Sequence, residues 1–143
     1  MTDASPARPV PVPDDISRPY WDAAAKHVLA MARCSRCGTF AMPPDMVCSH
    51  CHSTDPEFTF VPVSGRGTVR SWTVMHQSFL PGFDDLVPFV LVDVELDEQT
   101  DLRTIGRLLD GPDAPLAVGA RVIVAFEDLA PGVSVPAFSL EMT

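Results

Sequence analysis

The chain has 143 residues, 46% of them hydrophobic and 20% charged, which suits one folded domain or two very small ones. Ten Lys and Arg against 19 Asp and Glu give a net charge of −9, which argues against a nucleic-acid partner, because neutralising phosphates supplies most of such a protein's affinity. Fifteen prolines exclude a mostly helical protein, and no apolar run approaches the roughly 20 residues that cross a bilayer, so no membrane partner is expected.

Residues 1–15 carry Pro6, Pro9, Pro11 and Pro13 among polar residues and read as a flexible, partly polyproline-II arm. They lack the charged-then-apolar pattern of a secretory leader, so the expected location is the cytoplasm. Ser17 to Ala32 is the one helical candidate. Ser17 is placed to cap it, Pro19 sits in the first turn, and Tyr20, Ala24, Val28 and Met31 share a face at three- and four-residue steps.

Four cysteines follow as two pairs, Cys34-Ser-Arg-Cys37 and Cys48-Ser-His-Cys51. In a reducing compartment such pairs read as metal or redox sites rather than disulfides. A two-residue spacer lets one tight knuckle aim both sulfurs at one ion, and four thiolates close a tetrahedral Zn²⁺ shell. Such a shell leaves no open position, so the zinc is expected to be structural. Iron in the same cage, as in rubredoxin, is the electron-carrier alternative. Gly38 follows the first knuckle, where a positive φ is commonly required; His52 holds the matching place after the second, which predicts a slightly distorted turn there. His50 and His52 are the nearest substitute ligands.

From Phe58 onward the pattern becomes that of strands. Gly67–Gln77 alternates, with Val69, Ser71, Thr73 and Met75 on one face and Arg70, Trp72, Val74 and His76 on the other. Pro88–Leu96 places Val90, Val92, Val94 and Leu96 together; Arg103–Leu109, Arg121–Leu129 and Pro136–Met142 supply three more strands, separated by Gly- and Pro-rich turns. Five short strands in this arrangement predict an OB-type Greek-key barrel. The expected organisation is mainly β: an arm over 1–15, a helix and rubredoxin-like zinc ribbon over 16–60, and a five-stranded OB-fold barrel over 61–143.

The four histidines form no HExxH or HxE pattern, and there is no nucleophile elbow, phosphate loop or dinucleotide fingerprint. No catalytic residue is therefore nominated. Nine of the ten cations are arginine. Arg66 and Arg70 share a face of the first barrel strand, and Arg103 and Arg107 a face of the third. They read either as a cationic strip for a phosphorylated ligand such as coenzyme A, or as partners of local acids such as Asp93 and Glu95. Phe79, Leu80, Phe83, Leu86 and Val87 crowd one loop, and Phe89, Leu91 and Ile123 point nominally outward. They read as a protein contact or as burial against the helix and ribbon.

The order Tyr20-Trp21, Cys34-x-x-Cys37-Gly38, Pro43-Pro44, Cys48-x-x-Cys51, Ser64-Gly65-Arg66-Gly67-Thr68-Val69, Ser71-Trp72-Thr73-Val74, Gly106-Arg107-Leu108 and Val135-Pro136-Ala137-Phe138 resembles a family of zinc-ribbon plus OB-fold proteins, long catalogued as a domain of unknown function and associated with acyl-CoA metabolism. The resemblance covers nearly everything after the arm. It departs at His52, where the family often has glycine. It implies a non-catalytic accessory subunit of a hetero-oligomer with a thiolase-like enzyme that makes or breaks carbon–carbon bonds of acyl-CoA thioesters, including steroid side-chain aldolases. The CoA thioester would be a ligand of the complex. The helix from Ser17, with Tyr20 and Trp21, and the ribbon would be docking surfaces, and Arg66, Arg70, Arg103 and Arg107 contacts to the partner or to acyl-CoA. The rival from another class is a nucleic-acid binder, since ribbons and OB folds both serve there.

Overall fold

The computed structural model describes residues 7–141; the first six residues of the arm and Met142 of the last predicted strand lie outside them. From Arg8 the chain is extended but not loose. The Arg8 guanidinium donates to both carboxylate oxygens of Glu127, at 3.4 and 3.2 Å, and lies over the Phe83 ring. A Cβ on Gly82 would come within 2.4 Å of the Arg8 backbone nitrogen. The described part of the arm is thus strapped to the molecule by residues far away in sequence.

Helix α1 (Arg18–Ala25) is half the predicted length. Ser17 does not cap it with its side chain. Its hydroxyl accepts the Asp14 N–H at 3.1 Å, while Asp14 Oδ1 accepts the Ser17 N–H at 2.7 Å, so the two close a turn ahead of the helix. The helix ends because His27 turns left-handed, at φ 59°. The His27 N–H then bonds the Ala24 carbonyl at 2.8 Å, and the Val28 N–H bonds that of Ala23 at 3.0 Å, the pairing of a Schellman stop. Val28 and Met31 therefore do not extend the helical face. Residues 30–33 form a strand instead.

That strand, β1 (Ala30–Arg33), is the centre of a three-stranded antiparallel sheet with β2 (Phe40–Ala41) and β3 (Thr59–Pro62). The ribbon sheet thus runs two residues past the expected boundary at 60. The barrel follows: β4 (Arg66–Met75), β5 (Phe89–Leu96), β6 (Arg103–Leu108), β7 (Arg121–Ala130) and β8 (Val133–Leu140). Its strands close in the order β4-β5-β6-β8-β7, with β7 returning to β4 through Arg66–Thr68. The β6–β8 pair is parallel and the other pairs antiparallel. Closure consumes the sheet edges that would otherwise invite aggregation. Gly67 permits it: a Cβ there would sit 2.3 Å from the Glu95 carbonyl oxygen.

The alternation predicted for β4 breaks at Arg70. Val69 pairs with Val94 and Ser71 with Asp93, so Arg70 is the extra residue of a bulge. Beyond it Trp72 and Val74 stand opposite the inward Val92 and Val90. Helix, ribbon and barrel share one core: Tyr20, Leu29 and Met31 join Val69, Val90, Val92, Val94, Leu108, Val122 and Phe138. Burying a side chain such as Met31 stabilises by roughly 1.5–3 kcal/mol. Gln99, in the β5–β6 turn, adds a polar clasp, accepting the Phe40 N–H and donating to the Phe40 carbonyl, each at 2.9 Å. No helix among the described residues is long and apolar enough to cross a membrane.

Glu127 sits between Arg8 and Arg107, with its side chain 13% exposed. Burial alone would raise its carboxyl, but hydrogen bonds from Arg107 and Arg8 outweigh this and hold it below the ordinary 4.5. A depressed carboxyl contributes stability that is complete above the unfolded value and is lost as pH falls through the folded one. Glu127→Gln should lower stability by about 1–3 kcal/mol near neutrality. Urea midpoints from about pH 7 to about pH 3 should show the gap to wild type closing in acid; a constant gap contradicts the role given to the charge.

Candidate metal centre

The ribbon strands deliver the cysteines. Cys34 follows β1 directly, and the chain turns through Cys37 and Gly38 back into β2. The Gly38 N–H bonds the Cys34 carbonyl at 2.8 Å, and the His52 N–H bonds the Cys48 carbonyl at the same 2.8 Å. With Gly38 at φ 79° and His52 at φ 63°, the two knuckles are alike. The distortion expected at His52 is absent, because histidine there accepts the left-handed conformation. Arg33 braces the first knuckle, donating Nε–H to the Gly38 carbonyl at 3.0 Å.

The four sulfurs lie within 4.8 Å of one another. Cys34 Sγ stands 3.9 Å from Cys51 Sγ, and Cys37 Sγ 3.7 Å from Cys48 Sγ. Thiolates at the ordinary Zn–S distance of about 2.3 Å would be about 3.8 Å apart along each edge of a tetrahedron. The residues therefore fit a closed four-thiolate zinc site. Electrostatics agree. Hydrogen bonds from Thr39, then from His50 and Cys48, draw the Cys37 thiol down to about 5. The Cys51 N–H and then the His50 N–H lower Cys48. The Ser53 N–H pulls Cys51 down as well, but local desolvation of its sulfur within the cluster and the sulfurs of Cys48, Cys37 and Cys34 together push it up to about 11. A cluster that favours some thiolates and penalises the last is one that a cation completes. Cys34 and Cys48 are buried and Cys37 and Cys51 exposed, so the site is at the surface.

The other nominated residues are scattered. Tyr20 is buried, makes edge-to-face contact with Trp21 at 4.8 Å, and has its hydroxyl pushed up to about 12 by burial. Arg66 pairs with Glu141 at 2.7 Å, Arg70 with Glu95 at 3.4 Å, Arg103 with Asp93 at 2.9 Å, and Arg107 with Glu127. Only Arg70 and Arg103 come together, flanking one acidic pair of β5. The four do not make a continuous strip. Phe89 is buried against Phe83, at 5.6 Å, rather than on the helix or ribbon, while Phe79 is 93% exposed.

One cluster had no sequence signal. His27 stacks on Phe126 at 5.1 Å, and its Nε2 is 2.7 Å from Asp128 Oδ1. Ser134 donates its hydroxyl to the same oxygen at 2.5 Å. Serine, histidine and aspartate are thus assembled, but serine and histidine both address the carboxylate. No hydroxyl is handed to a base, as nucleophilic catalysis requires.

Cys37→Ser should remove the metal and open the ribbon, at a cost of several of the roughly 10–16 kcal/mol that structural zinc contributes to such modules. Elemental analysis should find zinc in the wild type and little in the variant, with earlier melting. Unchanged metal content and melting would contradict the site.

A family model described as the rubredoxin-like zinc ribbon domain of ChsH2 matches residues 21–57, and one described as the C-terminal OB-fold domain of ChsH2 matches residues 60–127. Among curated proteins, a "3-oxo-4,17-pregnadiene-20-carboxyl-CoA hydratase alpha subunit" of Mycobacterium tuberculosis is 33% identical over 84% of this chain and 40% of its own length. A "probable enoyl-CoA hydratase alpha subunit" of Thermomonospora curvata is 30% identical over 92% of this chain and 39% of its own length. The chain thus spans about two-fifths of both hydratase subunits. A "DUF35 domain-containing scaffold protein" of Methanocaldococcus jannaschii is 29% identical over 71% of this chain and 69% of its own length. Among solved structures, a chain of an "Ltp2-ChsH2(DUF35) aldolase" matches with a TM-score of 0.77 and 29% identity, covering 91% of this chain and 98% of that one. With the ribbon and barrel models matched in tandem and the fold shared over almost the whole length of that aldolase chain, the protein belongs to the ChsH2 family of zinc-ribbon and OB-fold proteins.

Proposed function

We propose that this chain is an accessory subunit that binds and supports a thiolase-superfamily enzyme acting on acyl-CoA thioesters, making or breaking a carbon–carbon bond, with a steroid side chain as one substrate class. The observation that carries the reading is the near-complete match to a chain of an assembled aldolase, in which almost nothing of either chain is left over. A relative named as a scaffold supports it. So does the chemistry of the chain: the cysteines are placed for a closed shell, and the cluster of His27, Asp128 and Ser134 lacks a base–hydroxyl contact. The partner then supplies the nucleophile and base. This chain supplies a rigid body around which the partner's acyl-CoA channel is completed.

The chain should be purified alone and with a thiolase-like enzyme encoded beside it. Alone it should leave acyl-CoA thioesters intact; together the two should co-elute and turn the thioester over. Turnover by the isolated chain, or failure of the pair to associate, overturns the reading. Arg70 and Arg103, which flank one acidic pair of β5, are the proposed contacts to the CoA phosphates, each exchanging its carboxylate for phosphate. Arg70→Glu with Arg103→Glu should raise the KM of the complex for the thioester by about tenfold; an unaltered KM removes them from that role.

A further inference from the structure

A cleft of about 750 Å³ lies between the start of α1 and the ribbon, lined by none of the four cysteines and none of the barrel arginines. Its apolar surface comes from Ile16, Met46, Phe58 and Phe60, with Pro19 and Pro56 as walls that offer no N–H. Ile16 and Met46 are 66% and 84% exposed, well beyond what a covered apolar side chain shows. Its charged lining is of one sign: Asp15, Asp45, Asp55 and Glu57, with no Lys, Arg or His among the lining residues. Two cations stand behind this rim and are already taken. Arg18 pairs with Asp15 at 3.7 Å, and Arg36 with Asp55 at 3.1 Å and Glu57 at 3.6 Å. Four carboxylates against two guanidiniums leave the rim at −2.

An apolar floor under a negative rim selects its occupant. It repels a CoA thioester, whose phosphates would meet carboxylates at close range. It also repels an acidic peptide. We infer that this cleft seats a segment of a protein partner in which lysine or arginine alternates with apolar side chains, the apolar groups on Ile16, Met46, Phe58 and Phe60 and the cations on the rim. The inference rests on the accessory-subunit reading only for which protein supplies the segment. The cleft and its charge belong to this chain alone. It also divides labour within the molecule, giving the helix–ribbon cleft to protein and leaving the barrel arginines as the contacts proposed for CoA.

The test uses the zinc-loaded full chain, isotopically labelled, and a short capped peptide of alternating lysine and leucine. Titration should shift the amide resonances of Ile16, Met46, Phe58 and Phe60. Affinity should fall about fivefold in the Asp15→Asn, Asp45→Asn double variant, and further between about 0.05 and 0.5 M salt. Both substitutions are isosteric and exposed, and unshifted resonances elsewhere would report an intact fold. A glutamate–leucine peptide and coenzyme A should leave these residues unmoved. Binding of either at the cleft, spermine matching the peptide, or peptide shifts confined to another face would each overturn the inference. Because no partner enzyme enters the titration, its failure is separable from failure of the two chains to co-elute.

Discussion

Four sulfurs within 4.8 Å of one another cannot all be charged unless a cation lies between them. The segment from Arg33 to Ser53 has little else to hold it: its two-residue strand β2 is half-buried at best. The free energy of metal binding, roughly 10–16 kcal/mol in such modules, therefore substitutes for the apolar core that this stretch lacks. The consequence reaches beyond the knuckles. Cys34 is the residue after β1, so fixing its sulfur fixes the end of the strand whose Met31 is fully buried in the common core. The metal site thereby sets the position of β1, and β1 sets that of the helix and the barrel against each other.

What was legible in the sequence was what depends on near neighbours. The CxxC pairs announce their chemistry because two intervening residues suffice to aim both sulfurs. The β5 alternation of valines was readable because its inward face is buried along its whole length. The helix was misjudged where local and distant preferences agreed on periodicity but not on structure. Tyr20, Ala24, Val28 and Met31 fit a helical stripe, yet Met31 pairs with Val61, thirty residues on, and residues 30–33 are a strand. The stop signal was hidden as well, since the left-handed position that glycine usually marks is held by His27. The bulge at Arg70 left no local mark either. It exists because β4 must bend to meet both β5 and β7, and only the closed barrel demands that.

Ion pairs across long separations were the second illegible layer, whereas Asp93 and Glu95, read as local partners of the barrel arginines, do pair with Arg103 and Arg70. Arg8 and Glu127 are separated by 119 positions and His27 and Asp128 by 101, so no window of sequence contains either pair. Their effect is coherent. Arg8 ties the arm to β7 and to the loop that carries Phe83, while His27 ties the end of α1 to the same strand. The arm that composition described as flexible is, from Arg8 onward, a strap along the β7–β8 hairpin, with Pro11 and Pro13 beside Trp21 and Val133. Proline serves here by its stiffness, since a segment already restricted in φ loses less entropy when it is pinned.

The same accounting explains why the acidic excess does not make the surface uniformly anionic. Barrel arginines neutralise barrel acids one by one, at Glu95, Asp93, Glu127, Glu141 and, through Arg121, Asp97. At the rim of the cleft between α1 and the ribbon, carboxylates outnumber the cations paired with them by four to two. That cleft is built from three separately anchored pieces: the turn fixed by Asp14 and Ser17, the loop around Pro44 and Met46 between the knuckles, and the run from Thr54 to Phe60 that leads into β3. The second is held by the metal on both sides, by Cys37 before it and Cys48 after it. The third enters the core through Phe60, which meets Tyr20 at 6.4 Å. A metal held by the four sulfurs would thus fix both ends of the loop that carries Met46, and it would meet the cleft wall at Pro56, whose carbonyl lies 3.8 Å from Cys34 Sγ.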